Sequence, residues 1–232
     1  MIVIAGTLTV FLCVFGGFML EGGQIKVLAE AFVNEILIIG GGAAGALIIM
    51  SPKKVLVDIA KGLGSCLKGA PHNRASYEDL LKVLYELFLL GRRNGMIALE
   101  EHVLEPEKSS VFKKYPGFSG NHHAVEFLCG ALRPIIDGKI KPDQLRLLLD
   151  AEIGRLEIEH HAPVSVLQKT GDSMPGFGIV AAVLGIVITM ASIGGAVEEI
   201  GTHVAAALVG TFLGILLAYG FMGPLATNLE FV

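Results

Sequence analysis

The sequence predicts an all-α polytopic membrane protein: four transmembrane helices, with a helical cytoplasmic domain between the second and third. Three observations predict it. Hydrophobic residues make up 53% of the 232 residues and charged residues only 17%, whereas a soluble domain carries about a quarter of its residues as charges. The charges are segregated, since every Lys and Arg except Lys26 lies between Lys53 and Lys169. No stretch sustains the period-two alternation of a strand.

The same composition removes other classes. Gly reaches 30 residues, about twice average usage, yet without the period of collagen, and the apolar content is too high for disorder. Cys13, Cys66 and Cys129 lie far apart with no CxxC pair, which supplies neither a disulfide framework nor a zinc site. A net charge of −4, with no basic stripe and interleaved aromatics, excludes nucleic acid as a partner. Membrane lipid is the surrounding that the composition itself demands.

A helix crossing ~30 Å of hydrocarbon needs about 20 apolar residues. Four runs qualify: Met1–Leu20, Ile36–Pro52, Ser173–Val197 and Ile200–Leu229. The first has no basic n-region and no small-x-small cleavage site before the next polar stretch, so it reads as a retained span rather than a signal peptide. Residues 1–52 thus form a transmembrane hairpin with a periplasmic loop at about 21–34. Lys53, Lys54, Lys61 and Lys68 closely follow the second span, and Lys169 precedes the third. The opposite flanks hold Glu21, Lys26 and Glu30, then Glu198 and Glu199. By the positive-inside rule the middle block is cytoplasmic, and so are both termini.

The second span is short and carries Gly40, Gly41, Gly42, Ala43, Ala44 and Gly45 in a row. It has neither GxGxxG spacing nor a P-loop Lys, so it does not cradle phosphate. Small residues in an apolar helix let neighbouring backbones approach. Gly41-x-x-x-Gly45 and Gly210-x-x-x-Gly214 are assigned to such helix packing.

Residues 53–172 read as a compact helical domain. After Ser76 come Glu78 and Asp79, then Leu80, Val83, Leu84, Leu87 and Phe88, the i, i+3, i+4, i+7 pattern of an amphipathic helix. Arg92-Arg93 and Glu100-Glu101 are placed on its continuation, as a solvated polar face or a charged docking surface. Tyr115-Pro116-Gly117 reads as a turn, and 121–136 supplies a shorter helix. Pro142, with Asp143 beside it, opens another helix bearing Leu145, Leu148, Leu149, Ile153 and Leu156. His122-His123 and His160-His161 are adjacent pairs whose side chains point about 100° apart, unlike the i, i+4 pairs of a zinc helix. No nucleophile has a base at motif spacing, so no enzyme and no metal site are predicted.

Residues 173–232 hold the third and fourth spans. Their polar side chains are Ser173, Thr189, Ser192, Thr202, His203, Thr211 and Tyr219, with no Asp, Glu, Lys or Arg at membrane depth. An ion crossing hydrocarbon needs a carboxylate, a His chain, a carbonyl ring or a wetted polar lining. If ions pass, another polypeptide brings the acid. Pro175 and Pro224 stand at the cytoplasmic ends of these spans, Pro175 as a kink or a first-turn proline and Pro224 as a kink or stop.

The stretches Gly171–Val180 (Gly-Asp-Ser-Met-Pro-Gly-Phe-Gly-Ile-Val) and Val209–Phe221 (Val-Gly-Thr-Phe-Leu-Gly-Ile-Leu-Leu-Ala-Tyr-Gly-Phe), together with Pro224, resemble the third and fourth spans of the MotA family of flagellar stator subunits. The similarity extends over the N-terminal hairpin and the Gly91–Glu100 segment. It implies a homopentameric ring around a MotB-type dimer whose transmembrane Asp binds the ion, with the ring's cytoplasmic part driving the rotor protein FliG. By position, the resemblance makes Arg92 and Glu100 rotor contacts, Pro175 and Pro224 the functional prolines near the ion path, and Thr211 its pore-facing hydroxyl. Sodium-driven relatives tend to have Thr where this chain has Ala182, so the transported cation is expected to be the proton, and no cofactor is expected. Members of the family usually continue past the fourth span with a charged cytoplasmic tail, and this sequence, which stops at Val232, departs from that pattern. The competing reading is an ExbB or TolQ type energising subunit, which has three spans and an external N-terminus; a four-span scaffold and a secondary transporter are further rivals.

Overall fold

The computed structural model describes residues 2–68, 74–191, 193–194 and 197–231, and among them no strand is present. Ser192 lies outside the described residues, as do the side chains of Lys68, Glu198 and Glu199. The chain divides into two units, 1–70 with 159–232, and 71–158.

In the first unit, α1 (Ile2–Leu20) turns through Glu21–Gln24 into α2 (Ile25–Met50). Gly22 makes the turn at φ 83°, a left-handed backbone that glycine adopts without a Cβ penalty. The linker is therefore four residues long, and 25–34, assigned from the sequence to the loop, are helical. Leu28–Met50 is apolar enough to span, and Glu30 and Glu35 fall inside it. Glu30 stays exposed near an ion pair with Lys26 at 3.8 Å. Ser51 and Pro52 break the helix. Next comes α3 (Lys53–Lys68), whose Val55, Ile59, Leu63 and Cys66 return every three or four residues and face the unit's interior.

The third span is the far part of α9 (Pro142–Ala191), a continuous helix of 50 residues. Two helices separated near residue 172 were expected. Pro163 and Pro175 lie inside this one; each removes a single backbone N–H, and the helix continues through both. Pro175 is thus no first-turn proline. The fourth span is α10 (Val197–Ile215), then wider π-helical turns over Leu216–Met222, then α11 (Gly223–Glu230) with Pro224 in its first turn. The chain therefore neither stops nor ends its helix at Pro224.

The interior of this unit joins Ile39 and Ala43 of α2, Met174 and Ala181 of α9, and Val209 and Leu213 of α10. At the lysine-rich end a second cluster joins Ile59 and Cys66 of α3, Leu167 of α9, and Ala226 and Leu229 of α11. Lys54 reaches Glu159 at 3.3 Å across that end. The α1 helix buries no residue; it leans on the fourth span through Phe11 on Phe221 (5.1 Å between rings) and Phe15 edge-on to Phe212 (6.3 Å).

The second unit holds α4 (Arg74–Asn94), α5 (Ile97–Leu104), α6 (Ser110–Lys113), α7 (Pro116–Ser119), α8 (His122–Ile136) and the start of α9. Gly95 at φ 83° ends α4, so Glu100 stands on α5, not on a continuation of α4. Pro116 opens the one-turn helix α7 where a plain turn was expected, as a proline at the first helical position does. Asn121 caps α8 by accepting the Ala124 N–H. Val83, Leu87, Leu99, Val103, Phe112, Phe118, Val125 and Cys129 form the core. Glu86 accepts hydrogen bonds from Lys114 (2.8 Å) and the Tyr115 hydroxyl (2.7 Å), which together hold its carboxyl below the ordinary range.

Two outcomes are expected. A folded-state carboxyl held below its unfolded value near 4.5 contributes stability above that pH and loses it as pH falls through the folded value. Amide exchange over residues 110–115 should accelerate in that acid window, and Glu86→Gln should flatten the response; an identical acid limb in both proteins would count against the contact. A Cβ on Gly178 would meet the Gly210 carbonyl at 2.8 Å, whereas one on Gly41 meets nothing within 4 Å. Gly178→Ala should therefore cost about 1–3 kcal/mol by overpacking and Gly41→Ala almost nothing, read as resistance to unfolding in detergent.

Candidate functional site

The third and fourth spans meet along a seam of glycines. A Cβ on Gly178 would also lie 3.2 Å from the Gly214 Cα and 3.4 Å from the Thr211 Cα, and one on Gly214 would lie 2.8 Å from the Met174 carbonyl. No side chain larger than hydrogen fits there, so the two backbones touch. Gly210 and Gly214 both belong to this seam. Gly41 and Gly45 do not, because nothing within 4 Å faces either. The glycine of span two that packs is Gly42, against the Phe177 ring, since a helix turns 100° per residue and only one member of a run of glycines can face a given neighbour.

Around the seam sit the other sequence-derived residues. Ala182 and Thr211 are half-buried. Thr170, Ser173 and Thr189 spend their hydroxyls on carbonyls of their own helix, at 2.8, 2.7 and 2.8 Å. The Thr211 hydroxyl makes no hydrogen bond among the described residues. Pro175 lies four residues after Gly171, whose Cβ position would stand 3.0 Å from the Met222 side chain. The missing N–H of span three is thus close to the π-helical turns of span four. Such turns insert an extra residue in the helix and recur at functional sites. Pro224 is exposed just beyond. One hydroxyl in an apolar seam is far short of the six or more oxygens a hard metal cation takes.

One ionisable group at this level escaped the sequence reading. Glu35 on α2 is 6% exposed, and its Oε2 has no hydrogen-bond partner among the described residues. A Cβ on Gly210 would collide with that oxygen and lie 3.1 Å from the Ala181 Cβ. The carboxyl therefore occupies the hollow left by a missing side chain, where α2, α9 and α10 converge. A charge was taken to end the span at Ile36; the signal that could have found the longer helix is Ile25, Leu28, Ala31 and Phe32, apolar at helical spacing before Glu35.

In the other unit Arg92 and Glu100 flank the Gly95 break, both exposed and neither in an ion pair among the described residues. A Cβ on Gly91 would sit 2.8 Å from Leu99 Cδ1, so the glycine lets the end of α4 lie against α5 and sets the two charges on one corner. Met96 and Ile97, 50% and 83% exposed, lie between them. The His pairs join no group of three His, Cys, Asp or Glu suited to a metal among the described residues.

Comparison with known proteins agrees with an all-helical chain of four candidate spans. Residues 4–95 match the profile of the motility protein A N-terminal region, and residues 120–230 that of the MotA/TolQ/ExbB proton channel family. Motility protein A of Salmonella typhimurium is 39% identical over 230 residues, 99% of this chain and 77% of that protein. Chemotaxis protein LafT of Vibrio parahaemolyticus is 41% identical over 221 residues, 95% and 77% respectively. The fold is similar to those of C. jejuni MotAB (TM-score 0.74, 23% identity, 98% of this chain and 80% of that one) and of the flagellar MotAB stator complex from Bacillus subtilis (0.73, 24%, 98% and 80%). The class is thus a membrane-embedded channel subunit and not an enzyme. Within it, the chain belongs to the motility protein A family and is a flagellar stator subunit.

Proposed function

We propose that copies of this chain form a ring, a homopentamer, around a MotB-type dimer in the bacterial inner membrane, with both termini cytoplasmic. Inward ion flow past the seam turns the ring, and its cytoplasmic unit delivers torque to FliG. The observation that carries this reading is the seam itself: close-packed, bearing the Thr211 hydroxyl, and without an acid of its own in spans three and four. A partner carboxylate is then needed to carry the ion. Solved relatives of this fold are MotAB complexes, which supports such a partner.

Protons are the favoured cation. Ala182 offers no oxygen where sodium-driven relatives tend to have Thr, and a hard metal ion stripped of water needs several oxygens. Self-association is supported by Tyr77, Leu81, Tyr85 and Phe88 of α4, each exposed by 59% or more at helical spacing. Such a face on a single subunit marks an interaction surface. Arg92 and Glu100 give the FliG-facing corner opposite charges, which set orientation and association rate more than raw affinity.

In vesicles, the chain co-reconstituted with its MotB-type partner should pass protons at constant external sodium, and the chain alone should not. Robust conduction by the chain alone, or torque that follows sodium at fixed proton-motive force, would overturn the reading. Arg92→Glu and Glu100→Lys should each reduce swimming without reducing membrane insertion, and charge-reversed FliG should restore part of it. Wild-type torque in both reversals would remove the rotor assignment.

A further inference from the structure

Glu35 presents an energetic problem that the stator reading leaves unsolved. It lies seven residues into the span-length apolar stretch Leu28–Met50 of α2, about 10 Å along the helix from its start at 1.5 Å per residue. It is almost fully enclosed, and one carboxyl oxygen has no hydrogen-bond partner among the described residues. An ionised carboxylate without a partner in such surroundings costs several kcal/mol or more. Among the described residues, the packed elements bring no compensating cation to it. On α2 itself, Lys26 lies nine residues away and near Glu30. On α10 the titratable side chain described is His203, seven residues before Gly210, and Glu198 and Glu199 at its start carry the wrong sign. The membrane stretch of α9, from Ser173 to Ala191, has no titratable residue.

The occupant follows from the chemistry. A metal cation would find one carboxyl and apolar walls, Ala181 and the Gly210 backbone, not the several oxygens it requires. A proton needs only the one. We propose that Glu35 is a proton-binding site of the stator subunit, a neutral carboxyl stored behind the ion path. Its position links it to that path. The hollow it fills is the missing side-chain position of Gly210, which also lies 3.1 Å from the Ala181 Cβ; Ala181 and Gly210 immediately precede Ala182 and Thr211 on their helices. Ionising Glu35 would force the carboxylate out of the Gly210 hollow and shift both neighbours. The seam opens or tightens with that proton. Glu35 acts through the helices it touches and is a positioning residue.

The inference rests on the stator reading, and one set of measurements separates the two. The assembled complex with its MotB-type partner is purified as wild type, Glu35→Gln and Glu35→Asp, the last in case the amide fails to assemble. Infrared difference spectra between wild type and variant report the protonated carboxyl directly, and vesicle proton flux is followed across pH. The wild type should show a protonated carboxyl band, sensitive to D2O, that disappears in Glu35→Gln and shifts in Glu35→Asp. Flux in Glu35→Gln should fall by about tenfold or more and lose a pH dependence that Glu35→Asp keeps. Absence of the band at every pH, or equal flux and pH profile in wild type and Glu35→Gln, would overturn the proposal while leaving the stator reading intact. Failure of the wild-type complex to conduct would instead remove the stator reading and, with it, this one.

Discussion

The close approach of two backbones, Gly178 of the third span against Gly210 and Gly214 of the fourth, is the constraint on which the rest of the membrane unit depends. Within lipid, apolar side chains gain nothing by leaving the tails for one another, so helices associate through contact distance and backbone dipoles. A single methyl at Gly178 would meet a carbonyl oxygen at 2.8 Å. Everything nearby follows from keeping that distance short: Met174 and Leu213 close around it, Thr211 is presented beside it, and Gly210 leaves the hollow into which Glu35 reaches. The aromatic contacts of α1 have no comparable role, since that helix buries nothing.

The polar groups divide into two kinds by how they are satisfied. Thr170, Ser173 and Thr189 return their hydroxyls to their own helices and so add no binding capacity to the path. The Thr211 hydroxyl and the Glu35 Oε2 have no such partner among the described residues. Their availability, not their mere polarity, sets them apart from the other hydroxyls and carboxylates. In the water-facing unit the opposite arrangement holds: Glu86 is saturated by Lys114 and Tyr115, while Arg92 and Glu100 keep their charges open on the corner made by the Gly95 turn.

Much of this was legible in the sequence. Runs without charge marked the first and fourth spans closely because nothing else long and apolar competes with a membrane helix; the third was drawn to Val197, whereas its helix ends at Ala191 and Val197 opens the next. The amphipathic period of α4 and the short helix at 121–136 were readable for the same local reasons. What failed did so where a local signal was overruled by packing. Glu35 suggested an end to span two, but an acid enclosed by a glycine hollow does not stop a helix. The Gly40–Gly45 run suggested a packing face, yet only Gly42 meets a neighbour, and no spacing rule selects it without knowing where Phe177 lies. Conversely, Gly95 broke a helix drawn as continuous, while Pro163 and Pro175 failed to break α9. The α3 helix was passed over as a lysine-rich flank, although Val55, Ile59, Leu63 and Cys66 carry its period.

The π-helical turns over Leu216–Met222 bear on how this span tolerates change in length. A membrane helix is ordinarily rigid towards insertions and deletions, because one residue rotates everything beyond it by 100°. Wider turns hold one residue in surplus. Losing a single residue there would relax the stretch to an ordinary α-helix, leaving Gly210 before it and Ala226 after it on their present faces. The fourth span thus contains a place where its length can drift by one without scrambling the contacts on either side.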